Sequence, residues 1–277
     1  MNLAHRFISL VFATSYPYST LSLISSSMNR RPLSFYEQAK TKLGKYSNDT
    51  PRELPQFTSK EEYMDYIMKA SGLPLGFSTG SAIGSFVPDE APGMGSLPIK
   101  GTIIHLTDGP SDSWAATFTQ NKFPGAPVIV GRKRLSSGNP IQTIFVNNKV
   151  SNVCSGGDGV ADSEYVCEAV AKVLDLPGKE SVLPSSTGVI GWKLPAKELA
   201  SDVVPKAVEN LQSESAFNAA RDIMTTDRFP KLRSKTLSNG SRIVGIAKVR
   251  YMTPFFNFHS SCDRPYKISL HTGGRYD

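Results

Sequence analysis

Residues 141–184 read IQTIFVNNKVSNVCSGGDGVADSEYVCEAVAKVLDLPGKESVLP. Residues 141–146 are an apolar run of strand type, set off by Ser-Gly-Asn-Pro on the N-terminal side. A Gly-rich loop follows, and then residues 160–175 carry the clearest helical pattern in the chain. Val166, Ala169, Val170, Val173 and Leu174 fall on one face at helical spacing. Asp162 and Glu164 stand in the first turn, where negative charge suits the helix dipole. Pro177-Gly178 ends the helix, and residues 181–184 read as a short buried strand. Strand, helix and strand in mixed order place the chain in the α/β or α+β class.

Outward from this stretch, residues 102–106, 115–119 and 127–130 read as strands, with a turn at Asp108-Gly109-Pro110. Residues 71–100 are rich in Gly, Pro and Ser and read as loop. Residues 61–70 form a short helix. Residues 198–211 form another, which Pro205 kinks or divides. Residues 215–224 read as a third helix and 243–247 as a strand. No sustained period follows Ala247, and no internal repeat is visible.

The 277 residues are 39% hydrophobic, which is ordinary for a folded chain with a core. No run approaches the roughly eighteen apolar residues of a spanning helix, so no membrane is implied. The formal net charge is +7, but residues 1–45 hold six basic residues against Glu37 alone, leaving +2 for the rest. A compact basic face for nucleic acid is therefore not implied. The first 36 residues lack Asp and Glu and are rich in Ser and Arg. That composition fits a mitochondrial transit peptide, with a secretory signal or an address-free leader as alternatives. Cys154, Cys167 and Cys262 show no paired spacing, and His5, His105, His259 and His271 are scattered. Neither a disulfide framework nor a metal site is expected.

Five segments resemble one family. They are AATFTQNKFP at 115–124, NVCSGGDGVAD at 152–162, SSTGVIG at 185–191 with Leu194-Pro195 after it, IMTTDRFPK at 223–231, and GIAK at 245–248. In this order and at these gaps the chain is similar to the ornithine acetyltransferases, also called glutamate N-acetyltransferases. The resemblance covers residues 101–248. It implies an α/β fold of two mixed sheets flanked by helices, a layered sandwich shared with self-cleaving aminopeptidases. It also implies a self-cleaving precursor whose new N-terminal Thr takes an acetyl group from N-acetylornithine and passes it to glutamate. No cofactor is implied, with acetyl-CoA as donor in some members. An α/β heterotetramer in the mitochondrial matrix is the implied assembly.

By that resemblance Thr187 and Gly188 form an oxyanion hole, where a close backbone and a directed hydroxyl meet developing negative charge. From the residues alone the favoured reading is a plain strand-to-helix turn with a Ser/Thr cap. Thr225 is the implied substrate-binding Thr, and its plainer reading is a bend after a helix, held by Thr226 and Asp227. Lys248 is the implied cation for a substrate carboxylate, and its plainer reading is a solvated strand end. The loop 155–159 lacks the Lys and Ser/Thr of a phosphate loop and reads as a structural turn.

Two departures stand out. Lys248 is followed by VRYMTPFFNFH, with no Ala-Thr pair near the family's cleavage spacing. The expectation is that 249–277 is an unrelated tail, from a retained intron or a truncated gene, and that the form is truncated and inactive. Reading the transcript across the Lys248 codon tests it. Residues 146–152, VNNKVSN, stand where the family usually has Asn-Ser-Gly and small residues, and residues 37–100 form a linker and a divergent N-terminal region. Two other readings stay open: a non-catalytic amino-acid-binding or partner-binding protein, and a self-processing amidohydrolase relative.

Overall fold

Ile103 and Ile104 are neighbours in one strand, and both are buried. Side chains alternate across a strand, so burial of both requires cover on each face of the sheet. The computed structural model describes residues 6–11, 57–248 and 266–272, with side chains for 57–248. In chain order the elements are β1 (Arg6–Val11), α1 (Lys60–Lys69), β2 (Phe77–Phe86), β3 (Leu97–Leu106), β4 (Trp114–Thr117), α2 (Ala126–Ser137), β5 (Thr143–Asn147), α3 (Gly159–Val173), β6 (Val182–Ser186), α4 (Ala196–Glu198), α5 (Val204–Glu209), α6 (Phe217–Asp222), β7 (Lys231–Thr236), β8 (Arg242–Lys248) and β9 (Tyr266–Thr272).

The chain divides into two units, Ser15–Met64 and the remainder. Within the described part of the first, the Thr58 N–H and hydroxyl both donate to the Glu62 carboxylate at 2.8 Å, and Phe57 meets Tyr63 edge to face. In the second unit, a mixed four-stranded sheet has the order β2-β3-β5-β6, with only β5 and β6 parallel. A five-stranded sheet has the order β4-β1-β9-β8-β7. Apart from β1 and β9, residues 1–36 and 249–277 lie outside the described residues.

Two apolar clusters enclose the four-stranded sheet. Ile99, Ile103 and Phe145 pack with Val166 and Val170 of α3 and with Leu199, Val203 and Val204. On the other face Ile104, Ile144 and Val146 pack with Ala219 and Ala220 of α6 and with Leu232, Val244 and Ile246 of β7 and β8. Burying one such side chain contributes about 1.5–3 kcal/mol, against about 1 kcal/mol for an average hydrogen bond. The apolar alternation therefore decides which way each strand faces.

Three sequence expectations need correction. Residues 71–100 are not loop: they hold β2 and the start of β3. The Gly and Ser of β2 make room for a helix, since a Cβ on Gly80 would lie 2.2 Å from the Ala207 carbonyl oxygen. Residues 127–130 are not a strand but the first turns of α2, with Pro127 at its start and left-handed Gly138 at its end. The α3 face is rotated: Ser163, Cys167 and Ala171 are buried with Val166 and Val170, while Val173 is exposed. Sequence reading also missed β7, whose exposed Arg233, Lys235 and Thr236 conceal one buried Leu232. The division expected at Pro205 is present as a π-helical turn, Leu199–Val203, between α4 and α5.

Candidate functional site

The site begins where β5 ends. Asn147, the last β5 residue, is opposite Ser186 in the parallel register. Its side-chain amide donates to the Val150 carbonyl at 2.8 Å, and its side-chain oxygen accepts from the Ser186 hydroxyl at 2.6 Å. The chain beyond β6 stays pinned to the chain beyond β5. Thr187 N–H donates to the Asn147 carbonyl at 3.0 Å, and Val189 N–H donates to the Lys149 carbonyl at 2.7 Å.

Between those bonds Gly188 takes φ 141°, and a Cβ there would lie 2.1 Å from the Lys149 carbonyl carbon and oxygen. No side chain fits, so the turn can form only with glycine. Thr187 is 6% exposed, and its hydroxyl has no hydrogen-bond partner among the described residues. A buried hydroxyl left so costs roughly 1–3 kcal/mol, which makes it a marked feature of this turn. It caps no helix, so the strand-to-helix cap reading does not hold.

Asn148 leads to the second part of the site. Its N–H donates to the Lys100 carbonyl at 3.0 Å, and its side-chain oxygen accepts from Lys100 N–H at 2.9 Å. Its side-chain amide donates to the carbonyls of Asp222 and Met224, each at 3.0 Å. These hold the end of α6 and the start of the loop that carries Thr225.

In that loop the Lys248 ammonium donates to the Thr225 hydroxyl at 2.7 Å and stands 3.8 Å from Asp227. The Lys248 side chain is 4% exposed, which corrects the solvated strand end. Thr225 itself is exposed. Asp227 also accepts from Lys231 at 2.6 Å and from Thr225 N–H at 3.3 Å, so the bend held by Asp227 is present as well. Burial acts to raise the Asp227 carboxyl. The Lys231 hydrogen bond and the charges of Lys248 and Lys231 outweigh it and hold the carboxyl below its ordinary range.

Structure thus brings Thr225 and Lys248 into contact, pins Thr187 and Gly188 to the β5 end, and ties both parts to the adjacent residues Asn147 and Asn148. Sequence reasoning missed Asn148 and Asp222. Two consecutive Asn at the end of an apolar strand were the available signal for the first. Asp222 offered none: it is buried, and accepts from Ser81 at 2.6 Å, Lys100 at 2.9 Å and the Arg221 guanidinium at 3.0 Å. Burial acts to raise its carboxyl too, and the hydrogen bonds from Arg221, Ser81 and Lys100 bring it below the ordinary value.

A cleft of about 410 Å³ opens beside Asp222, lined also by Thr79, Ser81, Asn210, Gln212 and Arg221. None of the four sequence-derived site residues lines it. The loop at 155–159 is a structural turn, with Asp158 accepting from Val160 and Ala161 N–H at the start of α3. Among the described residues no three His, Cys, Asp or Glu are grouped to hold a metal ion, and no helix is long and apolar enough to cross a membrane.

Chemically, the Thr187–Gly188 turn offers a hydroxyl donor beside close backbone, and the Thr225–Lys248 pair offers a hydroxyl and a cation. An acyl oxygen suits the first and a carboxylate the second. Comparison with known proteins bears on this geometry. A model of the ArgJ family matches residues 100–253. The arginine biosynthesis bifunctional protein ArgJ of Nitratidesulfovibrio vulgaris is 32% identical over 181 residues, covering 64% of this chain and 43% of that protein. The mitochondrial protein of the same name from Cryptococcus neoformans is 32% identical over 212 residues, covering 75% and 42%. The crystal structure of ornithine acetyltransferase complexed with ornithine, from Mycobacterium tuberculosis, aligns with a TM-score of 0.55 at 28% identity, covering 67% of this chain and 95% of that one. The chain spans less than half the length of the two curated relatives it matches.

Proposed function

The chain belongs to the ArgJ family, and on that premise we propose that it carries the oxyanion-stabilising and substrate-binding part of a glutamate N-acetyltransferase. In this reading the acetyl carbonyl of N-acetylornithine lies against the Thr187 hydroxyl and the Gly188 peptide. As a nucleophile adds to the carbonyl carbon, the oxygen gains negative charge, which those donors stabilise. Collapse of the adduct releases ornithine, and glutamate then accepts the acetyl group. Thr225 and Lys248 hold the substrate's carboxylate. The nucleophile is the Thr implied by family resemblance, and none of the residues assigned here takes that role.

One observation carries the reading. Thr187 is fixed to Asn147 and the Thr225 loop is fixed to Asn148, so the acyl and carboxylate functions depend on two consecutive residues. The finer features rest on less. An acid-free N-terminal stretch and a mitochondrial fungal relative support a matrix location. Autocatalytic cleavage, the heterotetramer and acetyl-CoA as a donor rest on the family resemblance alone.

Calorimetric titration of ornithine into the chain and into Lys248→Met tests the proposal. Expected is saturable binding by the first, and loss of at least about tenfold in affinity, or 1.4 kcal/mol, in the second. Equal affinity in both, or no heat from either, would count against it.

A further inference from the structure

Lys100, Asn148 and Asp222 close a ring of hydrogen bonds. Asn148 exchanges backbone and side-chain bonds with the Lys100 peptide at 2.9 and 3.0 Å. Its amide donates to the Asp222 carbonyl at 3.0 Å. The Asp222 carboxylate in turn accepts from the Lys100 ammonium at 2.9 Å. The ring joins β3, the end of β5 and the end of α6, and a bond from the Asn148 amide to the Met224 carbonyl extends it toward the next loop. Thr225 is the next residue.

We propose that Asn148 is the positioning residue for the Thr225–Lys248 pair: its amide, gripping the Asp222 and Met224 carbonyls, sets where the Thr225 hydroxyl stands relative to the Lys248 ammonium. The inference rests on the functional reading only for the consequence to ligand binding; the positioning itself is a statement about the loop.

Three features single Asn148 out. It is 9% exposed, so water is a poor substitute for the bonds it makes. Both amide protons and the side-chain oxygen have main-chain partners, which fixes its orientation. Neither serine nor aspartate can do this at the same place. Serine has one donor on a shorter arm. Aspartate keeps the shape and the bond from Lys100 N–H, but turns carboxylate oxygen toward two carbonyl oxygens. The Asp222 side chain strengthens the same joint from the other side, since Ser81, Lys100 and Arg221 all hold it.

The test uses the full chain and two readouts. In Asn148→Asp, hydrogen exchange at 223–231 should rise about tenfold or more, while exchange at 99–106 stays within about twofold of the parent. Ornithine affinity should fall about tenfold, with Asn148→Ser between the two. The unaltered chain gives a check that no variant's misfolding can spoil: the Asn148 side-chain amide protons should exchange slowly by NMR. Fast exchange of those protons, or unchanged exchange at 223–231 in a folded Asn148→Asp, would overturn the proposal. Absence of ornithine binding by the unaltered chain, with 223–231 still loosened in Asn148→Asp, would support the positioning and sink the functional reading instead.

Discussion

The Lys248 ammonium reaches the Thr225 hydroxyl at 2.7 Å across 23 residues of sequence, from the end of one strand to a loop that follows a helix. Burying an ammonium is costly unless it is bonded, and here a hydroxyl and the Asp227 carboxylate share it. With Thr225 exposed and Lys248 behind it, the pair presents a donor and a cation to whatever binds at the loop. Thr225→Val should therefore weaken ornithine binding by roughly tenfold, and Thr225→Ser should restore most of it. Calorimetry on the two variants checks this; equal weakening by both would point to shape rather than the hydroxyl.

The turn at 187–188 should separate stability from function. Gly188→Ala should destabilise by about 3 kcal/mol or more, because a Cβ meets backbone at 2.1 Å and the φ of 141° is unsuited to it. Thr187→Val should leave stability unchanged or raise it, since the hydroxyl it removes has no partner among the described residues. Urea denaturation of both variants measures the difference. A large loss in Thr187→Val would mean that the hydroxyl is bonded after all.

These residues differ in how far the sequence exposes them. Gly188, Thr225 and Lys248 stand in short ordered motifs and were legible from those. Asn148 was visible only as an oddity beside Asn147, because its role depends on α6, which lies 69 residues away at its start. The fold was read best where apolar residues alternate or repeat, as in β5 and α3. It was missed in β2, where Gly80 is small to admit the Ala207 carbonyl, so that packing looks like loop composition. It was also missed in α2, where Val128, Ile129 and Val130 have strand propensity. There Val130 and Arg134 are buried one turn apart, so tertiary packing overrides it.

Acid should weaken the protein through Asp222 and Asp227. Both carboxyls lie below their ordinary range in the folded chain, so the unfolded chain binds protons first as pH falls. Their stabilisation is complete above the unfolded value of about 3.9 and is lost as pH drops through the lower folded values. Asp227→Asn should flatten the acid limb of a stability curve measured between neutral pH and strongly acidic pH. An unchanged limb would remove Asp227 from this account.

Arg134 is 1% exposed and forms a paired contact with Glu164, at 3.1 and 2.5 Å, while also donating to the Lys179 carbonyl. Arg134→Met leaves that carboxylate and carbonyl unmatched and should cost about 3–5 kcal/mol. Adding Glu164→Met should recover part of the loss. A double-mutant cycle in urea measures the coupling, and simple additivity would contradict it.

Burial pushes the Cys167 thiol up to about 12, while Cys154 is exposed. At neutral pH a thiol reagent should label Cys154 and spare Cys167 until the chain unfolds. Peptide mapping by mass spectrometry distinguishes them, and early labelling of Cys167 would show that α3 opens locally.

The turn at 187–188 and the pair at 225 and 248 should serve one ligand. NMR titration of ornithine into the isotope-labelled chain tests it most directly. Amide signals of Thr187, Gly188, Thr225 and Lys248 should shift together along one saturation curve. Shifts confined to one of the two groups, or curves with different midpoints, would contradict it.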